Sequence, residues 1–189
     1  MVKELLRRST QGTHGTPGTM TFGVVIFVPE PFATELAEAR LESGDPLGSL
    51  IPPHITVLPP TTRPVHQIRE IKRHLKRVGR RHRPFRIHLQ GTASFRPVSP
   101  VVFARLADGA EGCAELEKSV RAGVLFRELA FDYHPHITLA FGVDDVVLDL
   151  VAERMAGYDR LFWVREFELV VFDVDASPRV EATFTLHAR

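Results

Sequence analysis

Two short segments of this 189-residue chain are spelled almost alike: Pro53-His54-Ile55-Thr56-Val57 and Pro135-His136-Ile137-Thr138-Leu139. In an extended strand, residues i and i+2 project to one face, so His54 and Thr56 stand together while Ile55 and Val57 point the other way. The second segment presents His136 and Thr138 in the same manner. Two imidazoles on separate strands suit phosphodiester chemistry. One, neutral, takes a proton from the attacking oxygen; the other, protonated, gives a proton to the leaving oxygen. The threonine hydroxyls can donate hydrogen bonds to the non-bridging phosphate oxygens, where charge gathers during transfer. No metal is required. A bare His-x-Thr arises readily by chance, and His14-Gly15-Thr16 is such a match, but the flanking proline and apolar positions make the other two specific.

The elements that must position these residues repeat along the chain. The first half is expected to run strand (22–28), helix (31–42), the His54 strand (54–57), a basic helix (64–78), and strands near 84–90 and 92–96. The second half follows the same order: strand (101–106), helix (111–122), the His136 strand (136–139), helix (144–156), and strands near 161–173 and 180–187. Val24 to Val28 form a β-branched and aromatic run bounded by Gly23 and Pro29, the mark of a buried strand. Pro31 suits a helix start, and Gly44 with Pro46 its end. In the basic helix Val65, Ile68, Ile71, Leu75 and Val78 recur every three or four residues as one apolar stripe.

Composition narrows the class. With 44% hydrophobic and 25% charged residues the chain is that of an ordinary globular protein. The single cysteine, Cys113, excludes an intramolecular disulfide and suits a reducing compartment. No apolar run is long enough for a membrane helix and no secretory signal is evident, so a cytoplasmic location without membrane association is expected. Residues 1–20 are expected to form a flexible tail. The net charge of +1 hides an asymmetry, because residues 63–86 hold ten Lys or Arg against the single acid Glu70. A basic face of this kind is either solvated or a polynucleotide-binding surface.

The paired Pro-His-apolar-Thr-apolar segments, with the repeat around them, resemble the two-histidine (2H) phosphoesterase superfamily, and within it the 2′-5′ RNA ligase or LigT-like branch. The resemblance extends from about Thr21 to Ala188. It implies an α+β fold of two pseudo-symmetric lobes, each an antiparallel sheet with helices on its outer face and the active cleft between them. Residues 21–189 would then be one bilobal domain, with lobes at about 21–98 and 99–189. It implies catalytic roles for His54 and His136, with His136 as base and His54 as acid, and phosphate contacts for Thr56 and Thr138. The implied activity is hydrolysis of 2′,3′-cyclic phosphates to 2′-phosphates, with joining or cleavage of 2′-5′ RNA linkages in some members. The expected partner is RNA with a cyclic phosphate end or a small cyclic nucleotide, with no cofactor and no metal.

The alternative class is a binding module that holds RNA or a nucleotide in the same cleft without turnover. The presence of both histidines and both threonines favours the enzyme. A metal site at His134 and His136 lacks a signposted third ligand. Tyr133 and Phe141 flank the second motif and can either stack on a base or pack in the core, and Arg63 can reach a phosphate or be solvated. His66, His74, His82 and His88 carry no site assignment. No phosphate-binding glycine loop or dinucleotide fingerprint is present.

Overall fold

A computed structural model describes residues 18–45, 47–48, 50–172 and 178–187. The strands are β1 (Thr19–Phe27), β2 (His54–Pro64), β3 (Phe85–Ser94), β4 (Val101–Asp108), β5 (Ile137–Phe141), β6 (Asp159–Val164), β7 (Glu166–Phe172) and β8 (Arg179–Thr185). The helices are α1 (Phe32–Glu42), α2 (Ile68–Gly79), α3 (Ala110–Val120) and α4 (Asp145–Arg154). The strands make two four-stranded sheets, every pairing antiparallel: sheet A in the order β2-β1-β7-β8 and sheet B in the order β5-β4-β3-β6. The expected α+β class of two antiparallel sheets with helices is thus the observed one.

Local chemistry explains the elements. Alternation in β1 sends Phe22, Val24 and Ile26 into the core, all at or below 2% exposure, and strands β7 and β3 contribute Phe167, Leu169, Ile87 and Leu89 to it. In α1 the Glu30 carboxylate accepts hydrogen bonds from the Thr34 N–H and hydroxyl, which caps the first turn. Gly44, at φ +71°, ends the same helix in the left-handed region that side chains avoid. A second glycine, Gly91 at φ +66°, sits in a bulge that shifts the β3–β4 register. The core is continuous between the sheets, because each half's first helix lies on the other half's histidine strand: α1 against β5, and α3 against β2.

Four expectations need correction. The sheets are not consecutive halves: β3 belongs to sheet B, and β7 and β8 belong to sheet A, so a division near residue 98 does not follow the sheets. The chain crosses from A to B through residues 80–84 and returns at Arg165, which splits the expected 161–173 strand into β6 and β7. Backbone bonds from Leu186 to the Arg165 carbonyl (2.7 Å) and from His187 to those of Gly79 (3.2 Å) and His82 (3.0 Å) tie the two crossings together. The expected strands at 84–90 and 92–96 are one strand, β3, bent at Gly91. Thr19 and Met20, expected within a flexible tail over 1–20, instead pair with Pro64 and Arg63 inside sheet A; the rest of that expectation, over 1–17, lies outside the described residues.

The basic helix also starts later than expected. Pro64 is extended and Val65–Gln67 form a 3-10 turn, leaving Val65 46% exposed, whereas Ile71, Leu75 and Val78 are buried as the stripe requires. α2 packs on β8 and α3, with the Phe184 side chain and Thr185 backbone beside Gly79. Arg69, Arg73, Lys76 and Arg77 therefore face solvent on the side of α2 away from sheet A.

Candidate active site

β2 and β5, the edge strands of the two sheets, lie against each other at the centre of the molecule, and each carries one motif. The burial alternation is the same in both. Ile55, Val57, Ile137 and Leu139 are at most 1% exposed, while His54, Thr56, His136 and Thr138 are half-buried on the opposite face. The apolar members anchor the strands, and the polar members share one face. All four predicted site residues are placed in this way, with His136 immediately preceding β5.

Each imidazole is fixed by its own chain. His54 Nδ1 lies 2.8 Å from the Pro52 carbonyl oxygen, and His136 Nδ1 lies 2.8 Å from that of His134. A carbonyl only accepts, so Nδ1 carries the hydrogen in both rings, and the neutral form of each leaves its Nε2 lone pair free. Protonation converts the same nitrogen to a donor. The two rings therefore share one tautomer before substrate binds.

Their surroundings depress both pKa values. Burial is the main cause, lowering His54 to about 4, with repulsion from Arg40 and His136 added and the Pro52 hydrogen bond opposing. His136 is lowered too, first by burial and then by repulsion from His134, with the His134 carbonyl opposing. Aromatic rings supply much of the burial. The Phe27 ring meets His54 edge-on at 6.4 Å, and Phe95 and Phe103 meet His136 at 4.9 and 5.3 Å between centroids.

Buried polar contacts hold the segments that lead into each motif. Arg40 and Asp45 form a buried ion pair at 2.8 Å, and the other Asp45 oxygen accepts the Leu47 N–H at 2.9 Å, fixing the turn upstream of Pro52. The Tyr133 hydroxyl donates to the Thr56 carbonyl at 3.0 Å, joining the approach to the second motif to the strand of the first. Sequence reasoning left Tyr133 between base stacking and core packing. Its bridging role, like the contacts of the Phe95 and Phe103 rings with His136, depends on segments distant in the chain that no local pattern encodes; the Arg40–Asp45 pair is local, five residues apart, and was not singled out.

Other candidates fall away from the site. Arg63 lies nine residues along β2 from His54, about 30 Å at strand rise, and donates to the Thr62 carbonyl. Phe141 pairs with Val101 at the far end of β5. His74 is bonded to the Val120 carbonyl, His82 to Ser119 and His88 to Asp159. Among the described residues no group of three or more His, Cys, Asp or Glu is placed to hold a metal ion. No described helix is long and apolar enough to cross a membrane.

Comparison with known proteins gives the same family from three directions. Residues 28–176 match the family model of the 2′-5′ RNA ligase superfamily. A provisionally named phosphoesterase of Bacillus licheniformis is 28% identical over 173 residues, covering 89% of this chain and all of that one. Another from Bacillus cytotoxicus is 30% identical over 126 residues, covering 67% and 72%. Among solved structures, TT0787 of Thermus thermophilus superposes with a TM-score of 0.65 at 26% identity, covering 88% of this chain and 98% of that one. E. coli LigT complexed with 3′-AMP shares the fold, with a TM-score of 0.66 at 16% identity and 90% and 99% coverage. The span matched by the family model takes in both histidine strands, and the chain belongs to the 2′-5′ RNA ligase superfamily of two-histidine phosphoesterases.

Proposed function

We propose that the protein hydrolyses 2′,3′-cyclic phosphates of RNA ends or nucleotides to 2′-phosphates, by acid–base catalysis between His54 and His136 without a metal. The observation that carries this reading is the matched pair of carbonyl-anchored imidazoles, each with Nε2 available on the face that also bears a threonine hydroxyl. In hydrolysis, the family order makes His136 Nε2 the base that takes a proton from water as its oxygen attacks phosphorus. The P–O3′ bond breaks, and His54 Nε2–H protonates the departing oxygen, leaving a 2′-phosphate and a 3′-hydroxyl. Thr56 and Thr138 donate to the non-bridging oxygens. With an RNA 5′-hydroxyl in place of water the same groups would form a 2′-5′ linkage as P–O3′ breaks, and the reverse of that step, attack by the 3′-hydroxyl with the 5′-oxygen leaving, would cleave one.

Burial disfavours the charged form of both histidines in the free site, and the phosphate's negative charge, entering between the rings, raises their affinity for the proton that the acid needs. The buried thiol of Cys113, held mostly protonated by burial that pushes it up to about 12, suits the reducing conditions of a cytoplasm. The test is a panel of 2′,3′-cyclic mononucleotides, cyclic-phosphate-ended RNAs and 2′-5′ dinucleotides, with products resolved as 2′- or 3′-phosphates. Exclusive 2′-phosphate product supports the reading. Tight binding without turnover by wild type would reduce the protein to a nucleotide-binding module.

A further inference from the structure

The face of sheet B that bears His136 and Thr138 continues beyond the catalytic residues. Strand register carries it outward: Thr138 pairs with Phe103 on β4, Arg105 lies two residues farther along the same face, and β3 adds Arg86 and His88. On β6, Trp163 pairs with Arg86 and Leu161 with His88, while Phe162 and Val164 between and beyond them enter the core. Trp163 is 49% exposed and Leu161 48%, on an edge strand with no described element over them. The Arg165 guanidinium lies 5.6 Å from the Trp163 ring centre. The acid on this face, Asp159, is already engaged by His88 Nε2 at 2.9 Å and Gln90 Nε2 at 3.2 Å.

An exposed indole flanked by arginines, on the face that holds the reaction centre, matches what unpaired nucleotides need: a flat apolar surface for a base and cations for its phosphates. We propose that this face is a track for single-stranded RNA, with Trp163 stacking on a base a few nucleotides upstream of the reacting end and Arg86 and Arg165 contacting the backbone. Three strand spacings, about 14 Å, separate β5 from β6, a distance that a mononucleotide in the cleft does not bridge. The inference rests on the cyclic phosphodiesterase reading and selects polynucleotide over mononucleotide as the substrate class. It also sets the basic helix aside, because α2 packs on the core face of sheet A, opposite the face bearing His54 and Thr56.

Trp163 is the sole tryptophan, so its emission reports directly on the track. Wild-type protein is titrated with a non-reactive 2′-O-methyl RNA hexamer and with a non-cyclic mononucleotide. The hexamer quenches the emission saturably and the mononucleotide leaves it unchanged. In steady-state turnover, Trp163→Ala raises KM for a cyclic-phosphate-ended hexamer about 5- to 100-fold more than KM for a 2′,3′-cyclic mononucleotide, the range for one lost base stack. Arg69→Glu/Arg73→Glu/Arg77→Glu on α2 leaves hexamer affinity within about twofold once ionic strength is matched. Hexamer binding without quenching, no hexamer binding, equal KM changes on both substrates, or collapse of hexamer affinity in the α2 variant would each overturn the track. Quenching by RNA in a protein that turns over neither substrate would keep the track and remove the phosphodiesterase reading instead.

Discussion

The depressed histidine pKa values make the pH dependence of turnover a direct test of the mechanism. With His54 at about 4 in the free protein, roughly one molecule in a thousand carries the His54 proton at pH 7. The profile of kcat/KM reports the free enzyme, so both of its limbs should fall below 6.5 and its optimum should lie between about 4 and 6.5, whichever ring acts as base. Substrate alters this. One negative charge about 4 Å from an imidazolium is worth about 4 kcal/mol at an effective dielectric of 20, equivalent to a rise of up to about three pKa units. The kcat profile should therefore be a bell displaced upward by about one to three units from that of kcat/KM. The assay is steady-state hydrolysis of a 2′,3′-cyclic nucleotide from pH 4 to 9 at constant ionic strength, with kcat and KM fitted separately. Far-ultraviolet circular dichroism confirms folding at each pH. The fold itself favours neutral histidines, so their stability contribution is complete above 6.5 and is lost as pH falls from there towards 4. Superimposed profiles, or a kcat/KM optimum above pH 8 in folded protein, would refute the paired-histidine reasoning.

Four further outcomes follow from named contacts. His54→Ala and His136→Ala should each lower turnover about 10²- to 10⁴-fold while remaining folded, and Thr56→Val or Thr138→Val should slow the reaction without abolishing it; near-normal rates in either folded histidine variant would sink the mechanism. Tyr133→Phe removes the hydrogen bond to the Thr56 carbonyl and should cost about 1–2 kcal/mol, a fall of about 2–8 °C in Tm, with a several-fold loss in kcat/KM; an unchanged melting curve and rate would show the bridge to be idle. EDTA should leave turnover unchanged, and a loss restored by zinc would assign a metal to His134 and His136. Glu168 has a buried carboxylate oxygen with no hydrogen-bond partner among the described residues, and burial, with repulsion from Glu166, pushes its pKa up to about 7. Its ionisation therefore costs stability as pH rises from about 4.5 to 7, so Glu168→Gln should gain on the order of 1–3 kcal/mol relative to wild type at pH 8 compared with pH 4; equal denaturation midpoints across that range would contradict it.

Much of the site was legible because its signal is local. The alternation in Pro53–Val57 and Pro135–Leu139 encodes which side chains share a face, and the structure buries Ile55, Val57, Ile137 and Leu139 accordingly. Helix α2 was legible through Ile71, Leu75 and Val78 for the same reason. Strand partnership was not. Nothing within Phe85–Ser94 says that it joins β4 and β6 rather than β1, since either neighbour would bury Ile87 and Leu89 equally well. Arg165 breaks an otherwise plausible strand from 161 to 173 without any glycine or proline to mark it. The Tyr133 bridge was hidden because its acceptor is a backbone carbonyl 77 residues away, a group present at every position.

The exchange of strands between halves has a consequence for how the chain is made. β1 is complete once Phe27 emerges from the ribosome, and β2 can cover one of its edges soon afterwards. Its other edge waits for β7, which ends at Phe172. At about 5–20 residues per second, synthesis of the intervening chain takes roughly 7–30 s, during which a strand rich in valine, isoleucine and phenylalanine presents unpaired backbone groups. The first histidine segment cannot reach its final setting in a half-made protein, so the nascent chain depends on whatever shields that edge until the C-terminal strands arrive.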